Sequence, residues 1–212
     1  MARATRLGIA KRGVFCLLAL PMALLGVDVW REVSQPGSAF GPDPTEEVLH
    51  YLGQWGLRIL LLTLAVSPAS RLLRKPQLVR FRRMMGLWAF SYVVLHFAAY
   101  LLSHVGNSFE VLLGITIHKV SFAVVGFYAL VMLIPLAITS TRSWQRRLGP
   151  GWRKLHRLVY PAAIAAWIHL LWLSKGDFMD PLIYGLVLVL LFGERIVFRI
   201  RKERRVTAAN TV

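Results

Sequence analysis

The chain has 212 residues, 56% of them hydrophobic, with a mean hydropathy of +0.55 and only 17% charged. A water-soluble domain of this length does not carry that much apolar surface, so a soluble enzyme or binding module is excluded. A net charge of +16 in a soluble protein would suggest nucleic acid, but here the basic residues stand between long apolar runs. That pattern points to membrane lipids with anionic headgroups and to no nucleic-acid partner.

Six apolar stretches follow in chain order, at 13–30, 49–66, 84–103, 120–138, 155–173 and 181–198. Each is near the roughly 20 residues that cross ~30 Å of hydrocarbon as a helix. Backbone groups in lipid must bond within their own segment, so helices are expected rather than strands. The expected fold is an all-α membrane protein, a six-transmembrane-helix bundle. Residues 1–12 form a basic cytoplasmic N-terminus, 13–198 the membrane domain and 199–212 a basic cytoplasmic tail. No internal repeat is read from the sequence.

Charge sets the orientation. Of the 26 basic residues, 21 fall in four segments: Arg3, Arg6, Lys11 and Arg12; Arg71, Arg74, Lys75, Arg80, Arg82 and Arg83; Arg142, Arg146, Arg147, Arg153 and Lys154; and Arg195, Arg199, Arg201, Lys202, Arg204 and Arg205. The alternate loops carry Arg31, Lys119 and Lys175 with the acids Asp43, Glu46, Glu47, Glu110, Asp177 and Asp180. The positive-inside rule then places both termini in the cytoplasm, N-in/C-in. Residues 1–27 also have the basic start and apolar core of a signal peptide. The run continues to Trp30 without a small-x-small cleavage site, so the first helix is expected to be retained. Cys16, the single cysteine, can build no intramolecular disulfide, CxxC zinc site or iron–sulfur cluster.

Ionisable groups inside a spanning helix cost about 2.5–3.5 kcal/mol and usually serve function. His50, His104 and His118 lie at helix ends or in loops on the outer side. His96, in the third helix, and His169, in the fifth, sit at one level in the outer half, on helices that run in the same direction. Two imidazoles opposed across a bundle make a bis-histidine haem site. Ala98, Ala99, Ala162, Ala163, Ala165 and Ala166 are small enough to let a macrocycle lie close. His156 starts the fifth helix at its cytoplasmic end, about 20 Å of helix rise from His169. That separation suits two stacked haems, although thirteen residues leave the side chains roughly 140° apart on a straight helix. Pro161 is the expected source of a change in phase. Other readings of the three histidines are polar helix contacts, a proton or ion pathway, and a metal site. No acidic residue lies well inside a helix to support a transporter, and no HExxH motif supports zinc. Arg58, near the middle of the second helix, is a candidate for a haem propionate, a helix carbonyl or snorkelling to the interface. Arg82 and Arg83 lie at the level of His156, as ordinary positive-inside residues or as contacts to an inner haem.

The segments GPDPTEEVLHYLGQWGLRILLLTLAVSP (41–68), RRMMGLWAFSYVVLHFAAYLL (82–102), LAITSTRSWQRRLG (136–149) and GWRKLHRLVYPAAIAAWIHLLW (151–172) resemble the ferric-reductase-like transmembrane family, above all a bacterial branch of it. The resemblance implies a multi-pass inner-membrane subunit that binds haem b, one or two copies, with His96, His156 and His169 as ligands of the haem iron. It also implies FMN binding. Electrons would come from the quinone pool or a cytoplasmic flavin reductase. They would pass to a periplasmic molybdopterin-containing reductase that repairs methionine sulfoxide in periplasmic proteins. The chain would then be an electron-transfer subunit with no catalytic residue of its own. The wider family has two histidines on each haem helix; here Arg82 or Arg83 stands at the level of the missing one. No glycine-rich phosphate loop marks an FMN site. With no dinucleotide-binding domain after the last helix, electrons from NAD(P)H are expected to arrive through another protein. The alternatives are a quinone-linked cytochrome b that serves another reductase or reduces ferric iron directly, and a non-redox transporter or scaffold. The acidic first loop is a candidate docking site for an outer partner.

Overall fold

The computed structural model describes residues 2–105, 122–174, 176 and 178–210. His118 and the loop charges Glu110, Lys119, Lys175 and Asp177 lie outside the described residues. Eight α-helices account for most of the described chain: α1 (Ala2–Ser34), α2 (Pro44–Leu72), α3 (Arg82–Tyr100), α4 (Phe122–Ile138), α5 (Arg142–Leu148), α6 (Pro150–Leu155), α7 (Val159–Leu173) and α8 (Met179–Asn210). Tight 3-10 turns over Pro76–Phe81 and His156–Leu158 lead into α3 and α7, and a π turn over Leu101–Val105 follows α3. There is no strand among the described residues.

Among the described residues, four helical stretches are long and apolar enough to cross a membrane: Leu7–Ser34, Pro44–Leu72, Pro76–Ser103 and Met179–Arg204. Phe122–Ile138 passes with Arg142–Leu148 only as a pair bent by 95°, which makes up to five. The outward faces carry Leu17, Leu62, Leu102, Val189 and Leu190, all exposed. Such a surface is stable in hydrocarbon and not in water. The chain is a multi-pass, all-α inner-membrane protein.

The helix ends have local causes. Asp43 caps α2, its carboxylate accepting from the N–H groups of Thr45 and Glu46 at 3.1 and 3.0 Å, and Pro44 follows at the first helical position. Thr141 caps α5 through the Trp144 N–H. Gly149, at φ +50°, turns the chain from α5 into α6, which opens on Pro150. These two short helices occupy a segment rich in arginine that reads from sequence as a loop.

The helix prolines release carbonyls, and side chains from other helices use the acceptors nearby. Pro68 has no N–H for the Leu64 carbonyl, which accepts instead from Arg195 Nη2 of α8 at 2.6 Å. Next to it, Arg71 of α2 pairs with Glu194 of α8 through two hydrogen bonds. In α1, which contains Pro21, the carbonyls of Leu18 and Pro21 accept from the hydroxyls of Tyr92 and Tyr51, fastening α1 to α3 and α2.

The two most closely packed helix pairs are α2 with α3 and α4 with α7. The two pairs are laid out alike around their histidines. An offset of 73 residues carries Leu49, Gly53 and His96 onto Phe122, Gly126 and His169. The same offset carries the buried Leu57, Leu60, Thr63 and Ala89 onto the buried Leu130, Leu133, Leu136 and Ala162. Few of the matched positions are identical in sequence, so the likeness shows in burial and contact rather than in composition.

Candidate haem site

His96 and His169 come together as expected, with ring centroids 6.1 Å apart and planes at 74°. Each ring is held in the same way. His96 Nδ1 donates to the Leu49 carbonyl at 2.9 Å, and His169 Nδ1 donates to the Phe122 carbonyl at 2.7 Å. In each pair, 47 residues separate the histidine from its acceptor. With Nδ1 engaged, Nε2 is the free nitrogen of each ring.

One turn beyond each acceptor, the facing helix carries a glycine. A Cβ at Gly53 would lie 3.1 Å from Nδ1 and Cε1 of His96, and one at Gly126 would lie 3.0 Å from the same atoms of His169. The expected alanines behave differently: Ala162 and Ala163 are fully buried in the helix-packing core. The small residues that serve the imidazoles stand on the opposite helices, and no spacing rule along one helix reveals them. The matched glycine-to-histidine spacing in the two hairpins was the available signal.

The ring separation fits a metal. An ion bound by two Nε2 atoms at about 2.0 Å each sets the centroids roughly 6.3 Å apart. Among the described residues, no group of three or more His, Cys, Asp or Glu forms a metal site. Two protein ligands suit an iron whose other four come from a porphyrin.

His156 belongs to a second place at the other end of the same four helices. Its Nδ1 donates to the Trp152 carbonyl at 3.2 Å, and its ring stacks on Trp152 with centroids 3.9 Å apart. Trp152 in turn donates from its indole N–H to the Thr139 carbonyl, tying α6 to the end of α4. The phase between His156 and His169 changes at the 3-10 turn His156–Leu158. Pro161 is the third residue of α7, where its missing N–H costs nothing.

A cavity of about 540 Å³ opens beside His156. Its apolar wall includes Leu60, Leu87, Phe90 and Leu133, and its basic wall holds Arg82, Arg83, Arg153, Arg157 and Arg199, with no acid in the lining. Arg82 and Arg83 are thus brought to His156. Arg83 is the counterpart of His156 under the 73-residue offset. Arg195, which the sequence reading left among the tail residues, lies behind this cavity. Its guanidinium stands 5.0 Å from the ring of the lining residue Tyr160, and its buried Nη1 has no partner among the described residues.

Arg58 is not brought to either place. It donates to the Tyr184 hydroxyl at 2.8 Å and to Gln54 Oε1 at 3.0 Å, and it stands over the Trp55 ring. Five residues from Gly53, it is rotated roughly 140° away from the histidine pair and faces α8. His50 is half-exposed, 3.7 Å from Glu46. The acids of the first loop are mostly engaged within it: Asp43 as the cap, and Glu47 by the Gly41 N–H at 2.8 Å. Glu32 accepts from Gly37, Ala39 and Phe40.

Comparison with known proteins agrees with this layout. Residues 52–167 match the family described as ferric reductase like transmembrane component. A protein-methionine-sulfoxide reductase heme-binding subunit MsrQ of Xanthomonas campestris pv. campestris (strain 8004) is 42% identical over 202 residues, 95% of this chain and 92% of its own. The protein of that name from Xanthomonas euvesicatoria pv. vesicatoria (strain 85-10) is 44% identical over 94% of this chain and 90% of its own. That from Caulobacter vibrioides is 41% identical over 81% of this chain and 80% of its own. No solved structure matches.

Proposed function

Because this chain belongs to the ferric reductase like transmembrane family, and within it to the MsrQ branch, we propose that it is the haem-b membrane subunit of a methionine sulfoxide reductase system. It takes electrons from the quinone pool or a cytoplasmic flavin reductase. It delivers them across the inner membrane to MsrP, a periplasmic molybdopterin-containing reductase. The observation that carries this reading is the His96–His169 pair, two imidazoles each held at Nδ1 by a carbonyl, with ring centroids at a separation that fits one iron between them.

Haem, when bound, supplies a one-electron carrier. The chain's own part is to hold that carrier still and dry. The Leu49 and Phe122 carbonyls fix each imidazole in the tautomer that ligates through Nε2 and make it a stronger donor. The packed pairs α2/α3 and α4/α7 hold the rings at one depth while the outer faces meet lipid.

The inner cavity is read as the place of a second haem, with His156 on one side and no histidine opposite. Arg82 and Arg83 line it and would hold its propionates. A cavity with five arginines, no acid and an unpartnered Arg195 Nη1 beyond it suits a flat apolar ring with two carboxylates. The same charge would suit the phosphate of FMN; haem is preferred because an imidazole stands in the wall. Arg58 is assigned to the joint between α2 and α8. The proposed topology is six crossings with both termini in the cytoplasm, supported by the segregation of basic residues.

The test is a reduced-minus-oxidised visible spectrum with quantified haem on the purified protein and on His96→Ala, His169→Ala and His156→Ala. The expected result is a b-type band, with the outer haem lost in the first two variants and one haem retained in the third. Wild-type protein that folds in haem-replete cells and shows no haem band overturns the reading.

A further inference from the structure

We infer that Gly53 and Gly126 are positioning residues that set the angle between the two imidazole planes of the outer site, and through it the redox poise of the haem. The inference rests on the outer-haem reading and adds to it two residues on helices that carry no ligand.

The argument is geometric. Each imidazole is caught between two points of the facing helix, a carbonyl that accepts from Nδ1 and, one turn later, a glycine that presents no Cβ to the ring. A hydrogen bond at Nδ1 alone leaves the ring free to turn about the line through that bond. The ring takes the orientation that the missing side chain leaves open. A Cβ built at Gly53 would stand 3.1 Å from His96, and one at Gly126 3.0 Å from His169, closer than a Cβ normally approaches. The ring plane is therefore one that only a glycine on the facing helix accommodates without displacement. Two such clamps, one in each hairpin, leave the planes 74° apart.

An alanine at either position would push the ring by a few tenths of an ångström, lengthen its Nδ1 hydrogen bond and turn its plane. The iron d-orbitals of a bis-imidazole haem respond to the relative orientation of the two planes. The low-spin ferric EPR spectrum therefore reports that orientation directly.

Gly56 supplies the internal control. A Cβ there would lie 3.0 Å from Val93 Cγ2 and touch no histidine, so Gly56→Ala crowds the α2–α3 contact without reaching the ring. The experiment compares purified wild type, Gly53→Ala, Gly126→Ala and Gly56→Ala by haem content, ferric EPR and redox titration of the outer haem. The expected result is retained outer haem in all four. The largest g value and the midpoint should be displaced in Gly53→Ala and in Gly126→Ala, and unchanged in Gly56→Ala. Unchanged spectra and midpoints in both histidine-facing variants, with haem bound, overturn the inference and leave the haem reading intact. An equal displacement in Gly56→Ala overturns it too, because general crowding then accounts for the effect. Loss of folded protein in both Gly53→Ala and Gly126→Ala assigns the glycines to packing and overturns it likewise. Absence of haem from wild type removes the inference together with the reading beneath it.

Discussion

The hairpins α2/α3 and α4/α7 agree at their outer ends and part company at their inner ends. Outside, each contributes a carbonyl, a glycine and a histidine in the same spacing, and the result is a symmetric pair. Inside, one hairpin offers His156 stacked on Trp152, while the other offers Arg83 at the equivalent place. In the proposed reading, one architecture holds two sites of different chemistry: two imidazoles at one end, and one imidazole beside a group of guanidiniums at the other. A like layout of two hairpins sets where ligands can stand, and a single residue then decides how many do.

The strongest way to break the comparison is to remove a symmetric ligand. His96→Ala or His169→Ala is expected to abolish electron delivery to MsrP, as well as the outer haem band. Reoxidation of the pre-reduced protein by MsrP checks it, with ferric chelates as the competing acceptor. Preferential reoxidation by the chelate would favour direct metal reduction. The comparison is sharpened by Arg83→His, which gives both hairpins an inner histidine. Inner-haem content should rise, and the added haem should titrate at a new midpoint. Arg195→Met should come next in size. It leaves the Leu64 carbonyl behind the cavity without its donor, at about 1–3 kcal/mol of stability. Thermal unfolding in detergent measures it. Tyr184→Phe removes one bond of Arg58 far from either histidine and should cost about 1 kcal/mol with no change in haem spectra. Least of all is expected from Glu46→Gln: unlike Asp43 and Glu47, this acid is not used by the loop backbone as an acceptor. A large fall in transfer rate to MsrP in that variant would restore the acidic loop as a docking surface.

Much of this was legible in the residues. All six apolar stretches are helical where described, because a run of that length in lipid has no other way to satisfy its backbone. Their ends extend past the apolar limits: α8 runs on to Asn210 and α2 starts at Pro44, since charged residues continue a helix once it leaves the hydrocarbon. The His96–His169 pair followed from depth and direction alone. What escaped was everything that depends on which helix faces which. Gly53 and Gly126 are unremarked small residues until an imidazole is seen against them. Arg195 counts as one more positive charge until Pro68 is seen to have freed the carbonyl it binds. Helices α5 and α6 were hidden because their arginines read as a connecting loop, and only the Thr141 cap and the Gly149–Pro150 step mark them.

The bond between Arg195 and the Leu64 carbonyl also bears on how the molecule is assembled. Until α8 is in place, α2 holds a bare acceptor beside Pro68 and α8 a guanidinium without that acceptor. Neither helix is comfortable in the bilayer alone, and each relieves the other. A helix made later therefore completes one made earlier. A chain stopped short of Arg195 would be left with an exposed polar notch that membrane quality control can recognise.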